Sequence, residues 1–319
     1  MSTSVIDAKA LHSEAAAYAW VEARLWPTGP ICPHCGAIER ISKMGGKSTR
    51  IGTYKCYHCR KPFTVKVGTV FEDSHVPMHY WLQAAYLMCS SKKGVSSNQL
   101  HRTLGVTLKT AWFMSHRIRE AMRVIGVEPM GGAGEIVEID ETFIGRIEGM
   151  PVQTSPGGVS SYKNTVLSLV TRGGAVRSFH VEGTTSGQLL PIIRANISKE
   201  AFIISDNWKA YGALGKEYWM HQTINHGIGE YVRGIVHTNT VEGYYSIFKR
   251  GMKGVYQHCS ERHLHRYLAE FDFRYSNRIR LGVDDVERTE RAIKGIVGKR
   301  LTYRTTGKRA AVWQEPTQS

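Results

Sequence analysis

Residues 135–145 read Glu-Ile-Val-Glu-Ile-Asp-Glu-Thr-Phe-Ile-Gly (EIVEIDETFIG), and the reading of this stretch decides the fold of the larger part of the chain. Its β-branched start predicts a strand over 135–139. Side chains alternate along a strand, so Glu138 and Asp140 share one face and Ile139 and Glu141 the other, with Asp140 at the strand's polar end. Three more runs of this kind follow, TVLSLV (165–170), AVRSFHV (175–181) and AFIIS (201–205), and helical stretches come after the third and fourth of the four. The pattern predicts a mixed α/β domain over 131–283.

The run AFIISDNWKAY repeats the device of the first strand, because an apolar segment delivers Asp206 to its C-terminal edge just before a helical turn. In HTNTVEGYYSIFKRG (237–251), Glu242 opens an amphipathic helix, and Tyr245, Ser246 and Lys249 follow it on one face at i+3, i+4 and i+7. Three carboxylates arriving from two strands and a helix suit a two-metal phosphoryl-transfer site. One acid bridges both cations, the others complete their shells, and no covalent nucleophile is required. Mg²⁺ is the expected ion and Mn²⁺ an acceptable substitute. Lys249 lies beside Glu242, where it would hold a flanking phosphate. Trp208, two residues after Asp206, is placed to stack on an extruded base. Asn239 and His237 precede Glu242 by one turn and are accessory candidates; Asn239 competes with Glu242 for the third ligand position. The carboxylate is preferred, because it neutralises cation charge and an amide does not.

The first part of the chain has a different chemistry. CPHC at Cys32 and Cys35 and CYHC at Cys56 and Cys59 stand twenty residues apart, a spacing that fits a four-cysteine structural zinc ribbon holding one Zn²⁺. Four thiolates saturate the metal, so His34 and His58 are expected at the surface, and Cys89 and Cys259 as packed thiols. A helix carrying Ala15, Tyr18, Ala19, Val21 and Leu25 precedes the ribbon and stops at Trp26-Pro27. The segment 1–70 is therefore a helix plus zinc ribbon. Residues 71–130 show three helical periods and close at the breaker Pro129-Met130-Gly131-Gly132. Within them, Ser97 or Asn98 caps a short helix, Gly105 supplies a turn, and Thr107 caps a second helix through about Met122. This layout fits a helix-turn-helix, with Lys109, Thr110, His116, Arg117 and Arg119 predicted to face outward into a DNA major groove.

Composition agrees with a nucleic-acid partner. The 319 residues carry 42 Lys+Arg against 27 Asp+Glu, a formal charge of +15. No segment approaches the roughly 18 consecutive apolar residues of a membrane span, so no membrane association is expected. The N-terminal residues lack the basic-then-apolar order of a secretory signal, which predicts a cytoplasmic protein. Residues 284–319 are expected as a basic, solvated tail.

Sixty-five residues separate Asp140 from Asp206, and thirty-five separate Asp206 from Glu242. With LWPTGPICPHCG, KTAWFMSHRIREAM, VEIDETFIG, HTNTVEGYYSIFKRG and HLHRYLAEFDFRYSNR in this order, nearly the whole chain resembles the ISXO-like DDE transposases of bacterial insertion sequences. The resemblance implies an RNase H-like catalytic domain in which Asp140, Asp206 and Glu242 ligate Mg²⁺ and Lys249 is the basic residue seven after the glutamate. It implies binding to double-stranded DNA, both the terminal inverted repeats and the target, by an oligomer that is at least a dimer on DNA and works at the bacterial nucleoid. The segment 146–163 is poorer in lysine than the resemblance leads one to expect. Two further functions share the pattern: a transposase-derived DNA-binding protein without catalysis, and a metal-dependent nuclease of the same fold.

Overall fold

Ser13 begins the first helix by accepting the Ala16 N–H on its hydroxyl. In the computed structural model, which describes residues 4–126, 128–150 and 162–302, helix α1 (Glu14–Leu25) buries Ala17, Tyr18 and Val21 and ends before Pro27. A three-stranded antiparallel ribbon follows, β1 (Ile41–Lys43), β2 (Tyr54–Cys56) and β3 (Pro62–Phe63), in the order β1-β2-β3. Glu22 ties it to α1 by accepting the Tyr54 hydroxyl at 2.9 Å and Lys43 Nζ at 3.4 Å.

Helices α2 (Met78–Ser90), α3 (Ser97–Leu104) and α4 (Leu108–Met122) agree with the three expected periods. The cap of α3 is Ser96, one residue earlier than expected; its hydroxyl accepts the Gln99 N–H at 3.1 Å. Gly105 closes α3 at φ +66°, a left-handed turn that costs a residue without Cβ little, and Thr107 caps α4. Trp81, Met88, Leu100, Met114 and Ile118 fill the core between these helices.

The larger sheet has five strands, β4 (Ile136–Ile144), β5 (Asn164–Thr171), β6 (Val176–Val181), β7 (Phe202–Asp206) and β8 (Met220–Ile224), ordered β6-β5-β4-β7-β8. The β6-β5-β4 side is antiparallel and the β4-β7-β8 side parallel. One face carries α5 (Ser186–Asn196) and a short helix α6 (Leu214–Glu217), packed on Val137, Ile139, Leu167 and Leu169. The other carries α7 (Asn239–Gly251) and α8 (Leu264–Ser276), packed on Ile144, Val166 and Val170. Two expectations change here. Strand β8 was not anticipated, and β4 runs on to Ile144, so Asp140 sits in the middle of its strand rather than at its end.

Residues beyond 283 also depart from the sequence reading. Helix α9 (Asp285–Lys294) is not a solvated tail: Ala292, Ile293 and Ile296 are buried in the helical core beside α2, and Arg24 of α1 pairs with Glu290. The fixed period of α9 gives it one apolar stripe, and that stripe has a partner. The rest of the basic segment, 303–319, lies outside the described residues, as does 151–161 of the lysine-poor segment. No helix among the described residues is long and apolar enough to cross a membrane.

Candidate active site and metal centre

Two tight turns bring the four cysteines together. Cys32 Sγ lies 3.6 Å from Cys59 Sγ, Cys35 Sγ lies 3.8 Å from Cys56 Sγ, and all four sulfurs fall within 4.8 Å of one another. Metal–sulfur bonds of about 2.3 Å in a tetrahedron require sulfur separations of about 3.8 Å, so the donor set fits Zn²⁺. Phe63, Tyr54 and Trp26 pack beneath the cysteines, with Tyr54 and Phe63 rings stacked at 5.8 Å. His34 and His58 are exposed, as expected of histidines that the metal does not need. Cys89 is buried and Cys259 half-buried.

Two of the acids singled out above stand on the neighbouring strands β4 and β7 inside the five-stranded sheet, and the third, Glu242, is carried by α7. Parallel pairing between β4 and β7 ends at Ile139↔Ser205, so Asp140 and Asp206 are the next residue on each strand and project from the same face. Neighbouring strands are about 4.8 Å apart, which brings the two carboxylates into each other's field. Helix α7 crosses this face, and Glu242 and Lys249 line one cavity of about 270 Å³ with Asp140, Glu141, Thr142, Tyr245 and Ser246. Glu242 stays half exposed, with Oε1 at 3.7 Å from His226 Nε2. Asp206 accepts the Trp208 N–H at 3.2 Å, while the Trp208 indole, half exposed, donates to the Thr184 carbonyl at 3.1 Å.

Electrostatics bind these groups into one unit. Burial, reinforced by the charges of Glu141, Asp206 and Glu242, pushes the Asp140 carboxyl up to about 8. Burial also raises Asp206, and His226 opposes that shift. Lys249 is lowered by burial, with Asp140 pulling the other way. A set of acids that resist shared ionisation is what a divalent cation relieves.

Glu141 and His226 were not singled out in the sequence. Alternation assigns Glu141 to the opposite face, yet it reaches the cavity, and burial lifts it to about 7. Its Oε1 is shielded from solvent, and the buried Tyr211 hydroxyl lies beside it. A second acid directly after Asp140 was the available signal. His226 reaches Glu242 through a turn that no periodicity marks.

Glu138, two residues before Asp140 on the same face, has another job. It is 0% exposed, and it accepts the N–H groups of Thr240 at 2.7 Å and Val241 at 3.0 Å together with the Thr240 hydroxyl at 2.8 Å. Arg172 Nε completes its shell at 2.8 Å. These are free N–H groups of the first turn of α7, capped by a carboxylate from another element. His237 belongs to this network: its Nδ1 accepts the Asn239 N–H at 3.3 Å and lies 3.2 Å from Arg172 Nη2. The Asn239 side chain is exposed at the start of α7.

The expected DNA face of α4 needs correction. Lys109 is exposed and Thr110 half-buried, but His116, Arg117 and Arg119 are 0%, 5% and 1% exposed. Helix α8 and neighbouring loops cover the side that periodicity left polar. Arg119 pairs with Glu270 at 2.6 Å, and Arg117 donates to the carbonyls of Glu72 and Leu301. The His116 ring packs, tilted by 53°, against the Trp112 ring at a centroid distance of 4.2 Å. These three side chains serve packing and do not face outward.

Residues 132–276 match the ISXO2-like transposase domain, and residues 12–62 match the transposase zinc-ribbon domain. An uncharacterized protein in the transposable element ISH50 of Halobacterium salinarum is 29% identical over 263 residues, spanning 78% of this chain and 86% of that protein. A chain in the cryo-EM structure of the simian T-cell lymphotropic virus intasome in complex with PP2A regulatory subunit B56 gamma shares 16% identity at a TM-score of 0.27. That match covers 54% of this chain and 63% of the other, too distant a likeness to bear on the fold.

Proposed function

We propose, for a chain that carries an ISXO2-like transposase domain behind a transposase zinc ribbon, that it is a DNA transposase cleaving the 3′ ends of an insertion sequence and joining them to target DNA. The observation that carries the reading is the shared cavity of Asp140, Glu242 and Lys249, with Asp206 at the adjoining strand end. Asp140, Asp206 and Glu242 would hold two Mg²⁺ ions, or Mn²⁺ in their place. Bound there, the cations supply activation of the attacking hydroxyl and stabilisation of the leaving 3′-oxygen. Lys249 sits on the Glu242 face of α7, where its ammonium holds a phosphate next to the scissile one. The half-exposed Trp208 offers a stacking surface for an extruded base at the cleft's rim.

The mixed five-stranded sheet with helices on both faces supports an RNase H-like catalytic domain. The zinc ribbon and the exposed start of α4, with Lys109 and Thr110, are the surfaces assigned to the terminal inverted repeats, in a homo-oligomer that is at least a dimer on DNA at the bacterial nucleoid. Asp140 and Glu242 in one cavity favour Glu242 over Asn239 as the third ligand.

The test is a cleavage and strand-transfer assay in Mg²⁺, with a labelled inverted-repeat end as donor and a supercoiled plasmid as target, run beside Asp206→Ala. Joining by the wild type alone supports the reading. Cleavage without joining points to a nuclease, and binding without either reaction to a non-catalytic DNA-binding protein. Full joining by Asp206→Ala removes the site assignment.

A further inference from the structure

Helix α7 is pinned to β4 at two places, and Glu242 lies between them. At one, Glu138 collects the N–H groups of Thr240 and Val241 and the Thr240 hydroxyl, at 2.7, 3.0 and 2.8 Å. At the other, the buried Tyr245 hydroxyl donates to the backbone carbonyl of Asp140 at 2.5 Å. The two spacings match. Glu138 and Asp140 are two strand residues apart, about 6.8 Å, while the span from Thr240/Val241 to Tyr245 is four to five helical residues, about 7 Å. The helix therefore runs along the strand in one register, and a slip of a single residue breaks both contacts.

Both anchors adjoin acids of the proposed site. Glu138 shares a face and strand with Asp140, and the residue after its second partner, Val241, is Glu242. Arg172, held by the Ile235 and His237 carbonyls at 2.8 and 3.0 Å, neutralises Glu138. The carboxylate of Glu138 is thus fully consumed, with no lone pair left for a cation or a nucleotide.

We propose that Glu138 is a positioning residue which, together with the Tyr245 hydroxyl, sets the register of α7 on β4 and thereby the separation of the Asp140 and Glu242 carboxylates that receive divalent cations. The inference rests on the transposase reading of that cleft. A side chain that only stabilises the fold would lower the melting temperature and leave cation affinity untouched, whereas a positioning residue changes the affinity itself.

The experiment measures Mn²⁺ binding to the DNA-free, full-length protein by the electron paramagnetic resonance signal of free Mn²⁺, and in parallel the Mn²⁺ concentration that half-saturates donor cleavage. Glu138→Gln keeps size but places an amide where four donors converge; Tyr245→Phe removes only the hydroxyl. Both are expected to raise the half-saturating Mn²⁺ concentration about tenfold in the binding and the cleavage readouts, with metal-free DNA binding unchanged. If Glu138→Gln fails to fold, Thr240→Val, which deletes the 2.8 Å contact and keeps the carboxylate, carries the test with Tyr245→Phe. Wild-type Mn²⁺ affinity in the folded variants overturns the proposal. Asp140→Asn separates the two levels: if it too binds and cleaves like wild type, the active-site reading fails, and if it alone loses both, only the positioning role fails.

Discussion

Arg119 of α4 and Glu270 of α8 form an ion pair at 2.6 Å with both side chains almost wholly removed from solvent. Arg274, one turn along α8, pairs with the other oxygen of the same carboxylate, the Tyr256 hydroxyl donates to it, and the Arg119 guanidinium lies 4.1 Å from the Tyr267 ring centroid. The helical region and α8, which packs on the five-stranded sheet, are joined through this cluster. Removing one member of a buried pair strands its partner's charge, at a cost of about 3–5 kcal/mol. Glu270→Ala, which strands two guanidinium groups, is expected to lower the unfolding free energy from urea titration by that amount. Stability within about 1 kcal/mol of wild type would mean the cluster does not hold the two parts together.

Acid should weaken the same interface from another residue. His116 is fully buried, neither ring nitrogen has a partner, and burial, with Arg119 and His263 adding repulsion, depresses its titration to about 2. An unfolded histidine titrates near 6.5. The folded value lies below the unfolded one, so the contribution is intact above about pH 6.5 and is lost as pH falls from there. The slope is at most about 1.4 kcal/mol per pH unit for the one site. His263, lowered to about 4, acts in the same direction. His116→Phe preserves ring contact with Trp112 and should flatten the change in urea midpoint between pH 7 and pH 5. An unchanged pH dependence would show that His116 is solvated in the folded protein.

Much of this was legible in the sequence because local signals controlled it. Gly105 and Thr107 mark a turn and a cap through backbone preferences that need no tertiary partner, and paired Cys-x-x-Cys motifs restrict the metal through coordination number. Side-chain alternation likewise put Glu138 and Asp140 together. The burial of His116, Arg117 and Arg119 was not legible, since α4 is covered on its polar side by α8, more than 140 positions later. Strand β8 was hidden for a related reason: Met220–Ile224 is a short edge strand whose identity comes from its parallel partner β7. Glu138 was visible as an acid on a buried face, but the donors that satisfy it are 34 to 103 residues away.

Glu242 and Asn239 can be told apart directly. Glu242→Gln removes a charge from the cavity shared with Asp140 and Lys249, and is expected to reduce cleavage at least a hundredfold while leaving metal-free DNA binding intact. Asn239→Ala should stay within about threefold of wild type. The reverse order in a single-turnover cleavage assay would give the third ligand position to Asn239.

Zinc removal should act locally. Each chain is expected to carry one zinc by elemental analysis, and Cys35→Ser to carry none. Structural zinc contributes on the order of 10–16 kcal/mol to such small domains, and the ribbon's own apolar set is limited to Cys32, Cys56 and Phe63 with a few half-buried neighbours. Limited proteolysis of Cys35→Ser should therefore cut within 32–63 and spare the 78–122 helices. Protection of the ribbon in a zinc-free variant would show that the cysteines do not depend on metal.

The packing of α9 against α2 has a consequence for how the protein is made. Ala292, Ile293 and Ile296 close a core whose other walls are built from residues before 123, with Phe273 of α8 the exception. A ribosome must have passed residue 296 before that core can be completed. Until then Trp81, Met88 and Met114 have no lid, and the nascent helical region stays exposed to chaperones and proteases. A chain stopped before Asp285 should accumulate poorly even though every acid of the cleft is present, and supplying 285–302 on a separate peptide should raise its yield of folded protein.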